Sequence, residues 1–217
     1  MASSHLEVVG VCEEHAPTRE SLTDTYDFTH DDYATMLAEC SPDIVAIGDY
    51  FAIRGARAIA ALEAGAHVIS DKPLCTSLAE LDRIERISTS GGLSVYCQLD
   101  MRDSGVCKLA YDIINRQELI GDLVTISFGG QHALNYRLGG EAAGGRAEWY
   151  FEEGKHGGTL TDIAVHGIDI AQWICGSKTR RITGARAWCD YSRVLLGRIC
   201  RSIATLCTNA RPHLRCV

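Results

Sequence analysis

A short buried strand that ends on a lysine is predicted by residues 66–74, Ala-His-Val-Ile-Ser-Asp-Lys-Pro-Leu. Apolar Val68 and Ile69 follow a helical pattern that ends at Gly65, which is typical of a crossover onto a parallel strand. Pro73 has no N–H group, so neither a strand nor a helix continues through it. We therefore expect Lys72 at the carboxyl end of the sheet, the edge at which open α/β sheets bind their ligands.

A second stretch, residues 157–176, predicts one amphipathic helix with glycines at both ends. Its apolar residues recur at helical spacing, and another face carries Asp162, His166, Asp169 and Trp173 at steps of four, three and four. A carboxylate and an imidazole therefore share one edge of the helix. This pattern indicates either a functional site or an ordinary solvated face with an Asp–His pair one turn apart.

The first half of the chain alternates predicted strands and helices. Glu13 ends the first of these strands, where a dinucleotide-binding sheet places the acid that binds ribose. No Gly-x-Gly-x-x-Gly occurs in the sequence, although that motif normally precedes the ribose acid by about 20 residues. We predict an α/β fold: a Rossmann-type parallel sheet that lacks its first strand and its glycine-rich loop. The predicted strands are residues 6–13, 25–29, 44–48, 66–70 and 93–97, and the predicted helices are 31–40, 51–65 and 77–89.

The second half predicts a partial α+β substrate domain. It has a helix over residues 102–118, strands at 123–129 and 182–190, and a glycine-rich loop at 131–156 that contains aromatic residues. The predicted domains are the dinucleotide-binding domain at 1–98, the substrate domain at 99–190, and a basic, Cys-containing tail of unclear structure at 191–217. From Ser177 onward nine Lys and Arg residues stand against one acid, and residues 192–217 show no period or motif. We attribute this tail to a truncated or altered reading frame.

The two motifs together resemble the glucose–fructose oxidoreductase/inositol dehydrogenase (Gfo/Idh/MocA) family of NAD(P)-dependent oxidoreductases. The resemblance rests on Asp-Lys-Pro-Leu at 71–74 and on Gly-Gly-(x)2-Thr-Asp-(x)3-His-(x)2-Asp-(x)3-Trp-(x)2-Gly from 157. It extends from Leu6 to Trp188. Members usually carry glutamate where this chain has Asp71, and usually have Thr-Pro-Asn and a histidine where this chain has Asp49-Tyr50-Phe51 and Arg54.

The resemblance implies a catalytic group of Lys72, Asp162 and His166, with side chains that converge on one small substrate. His166 is expected to act as acid/base, because imidazole suits proton transfer near neutral pH, and Asp162 to orient it or to bind a neighbouring hydroxyl. The other expected site residues are Glu13, Asp49, Lys72 and Pro73 for the cofactor, and Asp169, Tyr150 and Lys155 for the substrate, with His132 and Tyr136 as secondary candidates. The cofactor is NAD or NADP, with NAD favoured because a carboxylate at Glu13 repels a 2′-phosphate. The substrate is a sugar, polyol or related hydroxy compound.

The composition bears on the cellular location of the protein and on its partners. The chain has 217 residues, 46% of them hydrophobic, and a formal net charge of −7. No apolar run approaches the ~20 residues that cross a bilayer, and residues 1–7 do not resemble a secretion signal, so we expect a cytoplasmic protein without a membrane partner. The ten cysteines include no Cys-x-x-Cys, which argues against a zinc ribbon. The basic region carries cysteines in place of the lysine-rich or aromatic-interleaved pattern usual in a nucleic-acid arm.

Two alternatives compete with the dehydrogenase. One is a metal-dependent hydrolase or isomerase that uses Asp162, His166 and His156. The other is a non-catalytic fragment or sensor-like relative, because without the first strand the Rossmann order 3-2-1-4-5-6 has a gap and no phosphate-binding loop. We accordingly expect the 217 residues as written to be inactive, while the full-length form is a dehydrogenase and a homo-oligomer.

Overall fold

In the computed structural model, the residues that can be described are 6–127, 129, 148–152, 154–158, 160–176, 179–186 and 202–208. The chain divides into two compact units, Met1–Gln98 (unit 1) and Leu99–Val217 (unit 2). Among the described residues, no helix is both long and apolar enough to cross a membrane.

Unit 1 has the alternating strand–helix order that the sequence predicts, which confirms the α/β fold class. Each helix carries the chain back from the end of one strand to the start of the next. The elements are β1 (Val11–Cys12), α1 (Ala16–Leu22), β2 (Thr29–His30), α2 (Tyr33–Cys40), β3 (Ile44–Ile47), α3 (Phe51–Glu63), β4 (His67–Asp71), α4 (Leu78–Gly91) and β5 (Val95–Gln98).

All strand pairs in unit 1 are parallel, and they form two sheets. The larger sheet has the order β3-β4-β5, with Ile69 of β4 opposite Ala46 on one side and Tyr96 on the other. The smaller sheet pairs β1 with β2. The division between β1 and β3 falls where strand one of a Rossmann sheet would join them, as the sequence predicts.

The first predicted strand is wrong over residues 6–10. Only Val11 and Cys12 pair with a neighbour, and Leu6, Val8 and Val9 are 70%, 52% and 42% exposed. A strand is stable where a neighbour accepts and donates its backbone hydrogen bonds, and within the described residues β1 pairs with β2 alone. The predicted strand at 25–29 is likewise reduced to Thr29–His30, because the N–H groups of Thr25 and Tyr26 donate to Leu22 in a turn.

The core of unit 1 lies between the larger sheet and helices α2, α3 and α4. Val45, Ile47 and Val68 of the strands pack with apolar residues of those three helices. The sequence predicts a buried stripe on α3 formed by Ile53, Ala56, Ile59, Ala60 and Ala64, and of these only Ile59 is fully buried. The observed buried face is Phe51, Arg54, Gly55, Ala58, Ile59, Ala61 and Leu62. The spacing of apolar residues does not predict this face, because the charged residue Arg54 is part of it.

The described residues of unit 2 include two α-helices. Helix α5 (Gly105–Tyr111) continues through a π-helical turn at Asp112–Arg116, and helix α6 (Val165–Cys175) follows a π-helical turn at Leu160–Ala164. The rings of Tyr111 and Trp173 stack with centroids 4.3 Å apart. Asn115 Nδ2 donates to the Ile174 carbonyl at 3.0 Å, so α5 and α6 are joined at both points. Gly176 ends α6 in the left-handed conformation with φ 59°, as the predicted helix end requires.

The strands of unit 2 differ from the prediction in three places, the first being that the strand predicted at 182–190 already begins at Thr179. Residues 123–127, the described part of the strand predicted at 123–129, are not in a strand. Conversely, β6 (Thr179–Arg186) pairs antiparallel with β7 (Ser202–Thr208), a strand within the tail for which no structure was predicted. The sequence of β7, Ser-Ile-Ala-Thr-Leu-Cys-Thr, does not alternate polar and apolar residues. The strand is therefore recognised from its pairing with β6 and not from its own sequence.

Candidate active site

Lys72 follows directly on Asp71, the last residue of β4, and so lies at the carboxyl end of the larger sheet. Its backbone N–H donates to the Oδ1 atom of Asp71 at 2.8 Å, and the Lys72–Pro73 peptide bond is cis. The Lys72 Nζ atom lies 5.6 Å from the centroid of the Phe51 ring, which is 1% exposed. The strand prediction for residues 66–70 therefore places Lys72 correctly.

Arg54 is a buried cation at this site that sequence reasoning did not assign to it. The side chain is 2% exposed, and its guanidinium donates from Nε to the Asp49 carbonyl at 2.6 Å and from Nη1 to the Lys72 carbonyl. The Nη2 atom donates to Asp71 Oδ2 at 3.1 Å. Two of the positions at which the chain departs from the family pattern, Arg54 and Asp71, are thus partners of each other.

The cofactor residues expected from the sequence lie at two strand ends of unit 1. Glu13 follows β1; its N–H donates to the His30 carbonyl at 2.9 Å and its carboxylate accepts from the His15 N–H at 2.8 Å. Asp49 follows β3, and burial raises the pKa of its carboxyl above the ordinary value against the lowering effect of Arg57. The Arg57 Nε atom lies 4.0 Å from Asp49 Oδ2, and the same guanidinium pairs with Glu14.

The two carboxylates of the polar face predicted for residues 157–176 are buried and not solvated: Asp162 lies in the π-helical turn before α6, and Asp169 lies in α6. Asp162 is 3% exposed and Asp169 8%. Both oxygens of Asp169 accept from Arg102, whose Nε lies 2.6 Å from Oδ2 and whose Nη2 donates to Oδ1. Two-point contact between a guanidinium and a carboxylate is the strongest form of this pairing. The ion pair with Arg102 engages both carboxylate oxygens of Asp169. Direct contact between Asp169 and a substrate stays a prediction.

Asp162 lies beside a histidine that precedes the helix. Its Oδ2 atom is 3.6 Å from Nε2 of His156, and the N–H of Gly158 donates to Nδ1 of the same ring at 3.1 Å. Because Nδ1 accepts, the neutral ring carries its proton on Nε2, which faces the Asp162 carboxylate. His166 has its Nδ1 atom 4.0 Å from Asp100 Oδ1. His156 thus lies beside Asp162 and Asp100 lies near His166, and the action of Asp162 on His166 stays a prediction.

The remaining substrate candidates lie just before this helix. The Tyr150 ring stacks on Trp149 at 4.0 Å and has its centroid 5.0 Å from that of His156. The Lys155 ammonium is 2.6 Å from a carboxylate oxygen of Glu152. His132 and Tyr136 lie outside the described residues. Within the described part of the chain, no group of three or more His, Cys, Asp or Glu side chains is arranged to hold a metal ion.

The fold of unit 1 and the lysine at the end of β4 define a dinucleotide-binding α/β protein. The family model described as "Oxidoreductase family, NAD-binding Rossmann fold" matches residues 1–98, and the model described as "GFO/IDH/MocA C-terminal domain" matches residues 112–209. The chain belongs to the Gfo/Idh/MocA family, and residues 1–98 match its NAD-binding Rossmann fold. The second match includes β7, so the resemblance extends beyond Trp188, where the sequence motifs end.

Solved structures share the fold. The chain is similar to the WlbA dehydrogenase from Bordetella pertussis, in complex with NADH and UDP-GlcNAcA, with 19% identity, a TM-score of 0.72, and coverage of 92% of this chain and 55% of that one. It is also similar to myo-inositol 2-dehydrogenase from Lactobacillus plantarum, with 17% identity, a TM-score of 0.72, and coverage of 95% and 60%. An NAD-binding protein from Listeria innocua has 22% identity, a TM-score of 0.69, and coverage of 86% and 52%. The chain spans about half the length of these structures. No curated protein sequence matches it.

Proposed function

We propose that the protein is an NAD-dependent oxidoreductase that transfers a hydride between a carbinol carbon of a sugar, polyol or related hydroxy compound and nicotinamide. The observation that carries this proposal is Lys72, anchored at the carboxyl end of β4 in a chain of an NAD-binding Rossmann family. That edge is where open α/β sheets bind their ligands.

The three expected catalytic side chains have complementary roles. Removal of a hydride from a carbinol carbon requires a base for the hydroxyl proton, and His166 supplies an imidazole for that transfer. The Lys72 ammonium binds the same oxygen and stabilises the negative charge that develops on it. Asp162 binds a neighbouring hydroxyl or orients the base. The convergence of Lys72 with Asp162 and His166 stays a prediction, since Lys72 belongs to unit 1 and the other two belong to unit 2.

Residues at the strand ends of unit 1 fit a dinucleotide. Glu13, at the carboxyl end of β1, presents a carboxylate where such folds bind the ribose hydroxyls, and this favours NAD over NADP. Asp49 and Pro73 follow β3 and β4 and are our candidates for contact with the rest of the cofactor. NAD, when bound, accepts or returns the hydride.

The substrate class rests on the second unit and on the relatives. Trp149 and Tyr150 form a stacked aromatic pair near His156, and aromatic faces of this kind pack on the apolar faces of sugar rings. The WlbA dehydrogenase structure contains a nucleotide sugar, and the Lactobacillus plantarum protein is named for an inositol. Sugars, nucleotide sugars and inositols are therefore the first compounds to assay.

The test uses the protein in the longest in-frame form that its gene encodes. Titration with NADH and with NADPH, followed by nicotinamide fluorescence, should show saturable binding that is tighter for NADH. Reduction of NAD in the presence of a panel of polyols and sugars should then depend on Lys72. We expect Lys72→Ala to lower kcat/KM by about a hundredfold.

Lys108→Ala is the matched control, because Lys108 is an exposed lysine that pairs with Asp103 in unit 2 and should leave kcat/KM unchanged. Saturable NADH binding without turnover on any compound of the panel would favour the sensor-like relative. Turnover that survives Lys72→Ala would remove Lys72 from the mechanism. Activity that a chelator abolishes would favour the metal-dependent alternative.

A further inference from the structure

We infer that Arg54 is a positioning residue, which together with Asp71 holds the backbone of Lys72 in place at the end of β4. The two polar backbone groups of Lys72 are each bound by one member of this pair. Its N–H donates to Asp71 Oδ1 at 2.8 Å, and its carbonyl accepts from Arg54 Nη1. Arg54 and Asp71 are in turn joined through Nη2 and Oδ2 at 3.1 Å.

Arg54 also connects the ends of two neighbouring strands. Its Nε donates to the carbonyl of Asp49 at 2.6 Å, and its Nη2 lies 3.4 Å from the carbonyl of Gly48. Both carbonyls follow β3, whereas Asp71 and Lys72 stand at the end of β4. One planar guanidinium therefore links the carboxyl ends of β3 and β4, which its fixed fork of donors permits and a lysine ammonium does not.

Burial makes this arrangement specific. The Arg54 side chain is 2% exposed, and a buried cation is stable only when its donors are bound and its charge is opposed. Asp71, which is 48% exposed, is the carboxylate that pairs with it. The Phe51 ring lies below Arg54 Cζ at 4.7 Å and within 5.6 Å of Lys72 Nζ, so the same buried ring contacts both cations. A shift of Arg54 would therefore move both the backbone and the surroundings of Lys72.

The inference deepens the proposed function, and only its effect on turnover rests on that proposal. Its direct consequence is that the amine of Lys72 occupies a defined place whether or not the chain turns over a substrate. This can be measured as the rate at which an acylating reagent modifies Lys72, with Lys108 as an internal reference. The modified peptides are separated by mass.

The test compares Arg54→Lys with Arg83→Lys. Arg83 is an arginine of α4 that pairs with Glu63 and is half exposed, so its replacement controls for the loss of a guanidinium in unit 1. We expect Arg54→Lys to change the acylation rate of Lys72 several-fold while that of Lys108 stays constant, and Arg83→Lys to change neither. An unchanged Lys72 rate in folded Arg54→Lys protein overturns the inference.

Asp71→Asn provides a second variant in case Arg54→Lys does not fold. The amide keeps an oxygen for the Lys72 N–H but removes the charge that opposes Arg54, and Asp71 is exposed enough for the change to be tolerated. We expect a smaller change of the Lys72 rate in the same direction, and no change would contradict the inference. The double variant Arg54→His/Asp71→Glu introduces the residues usual in the family. We expect the acylation rate of Lys72 in this double variant to be closer to the parent value than the rate in the single variant Arg54→His.

If the proposed function holds, turnover gives an independent result. Arg54→Lys should lower kcat by about 10- to 100-fold and change the dissociation constant of NADH by a smaller factor, because a small displacement of a reacting group costs rate more than binding. A Lys72 rate that responds to Arg54→Lys in a protein that lacks hydride transfer would support the positioning role and contradict the dehydrogenase. Turnover that is lost in Lys72→Ala but unaffected in Arg54→Lys would support the dehydrogenase and contradict the positioning role of Arg54.

Discussion

The two units bury charges of opposite sign near the residues expected at the active site. Unit 1 buries a guanidinium, Arg54, whereas unit 2 buries two carboxylates, Asp162 and Asp169. In unit 1 the buried charge is bound chiefly by backbone carbonyls at two strand ends. In unit 2 the buried charges are met by the side chains of His156 and Arg102.

This difference shows what each buried charge can hold in place. A guanidinium that binds carbonyls determines where the backbone runs, and so it orders the turn that carries Lys72. A carboxylate that binds a side chain ties two elements together, so Asp169 connects α6 to the segment Asp100–Asp103, in which Arg102 lies. Breaking either arrangement leaves polar groups buried without partners, which costs more than a surface ion pair contributes.

The largest effect on stability should follow Arg54→Ala. The substitution removes the donors of the Asp49 and Lys72 carbonyls and leaves a cavity, so we expect unit 1 to lose about 3–4 kcal/mol in free energy of unfolding. Urea unfolding followed by circular dichroism measures the loss. The three tryptophans, Trp149, Trp173 and Trp188, all belong to unit 2, so the fluorescence transition should shift less than the dichroism transition. Equal shifts of both would mean that the two units unfold together.

Arg102→Ala tests the buried carboxylate Asp169 of unit 2. It leaves the Asp169 carboxylate buried without its guanidinium, and because Arg102 is itself 45% exposed we expect a cost of about 2–3 kcal/mol. The tryptophan fluorescence transition should report this loss directly. Asp169→Asn in the same chain should recover part of it, since the amide removes the uncompensated charge. Arg116→Ala, which breaks an exposed pair with Asp112 one turn away, is the control and should cost about 0.5 kcal/mol or less.

His156→Ala should produce a smaller change in unit 2. The His156 imidazole lies 3.6 Å from the Asp162 carboxylate, and its loss should cost about 1–2 kcal/mol by tryptophan fluorescence. Lys155→Ala changes the neighbouring residue, whose ammonium binds Glu152 at the surface, and should cost less. A cost for His156→Ala no greater than that for Lys155→Ala would show that Asp162 does not depend on His156.

The smallest effect near neutral pH concerns Tyr33 in unit 1. Burial raises the pKa of the Tyr33 hydroxyl to about 12, and this hydroxyl donates to the Arg57 carbonyl at 3.1 Å. Because the pKa in the folded state is raised, the stabilisation is fully present below the unfolded-state pKa of about 10 and is lost as pH rises through about 12. Ultraviolet titration should show one late phenolate step that Tyr33→Phe removes. A titration complete near the ordinary tyrosine pKa would contradict the burial.

Local sequence patterns were sufficient for many elements near the candidate site. The apolar run before Asp71 and the proline after Lys72 predict a strand that stops at the right place, because both features act within a few residues. The two glycine ends and the helical spacing similarly predict the helix that contains Asp162 and His166. The pairings of Arg54 with Lys72 and of Arg102 with Asp169 were not predicted, since the partners lie far apart in the sequence. His156 was expected near Asp162 only under the metal-dependent alternative.

The sequence by itself determined the alternation of strands and helices in unit 1, the place of Lys72 at a strand end, and the family. Hydrophobic period, glycine and proline act locally, so they can be read along the chain. Tertiary structure alone decided that residues 6–10 are not in a strand, that β7 pairs with β6, and that Arg54 and Asp169 are buried and bound by half-exposed partners. Strand pairing and the burial of charge depend on which distant groups supply hydrogen bonds and opposite charge, and that information arises only when the chain has folded.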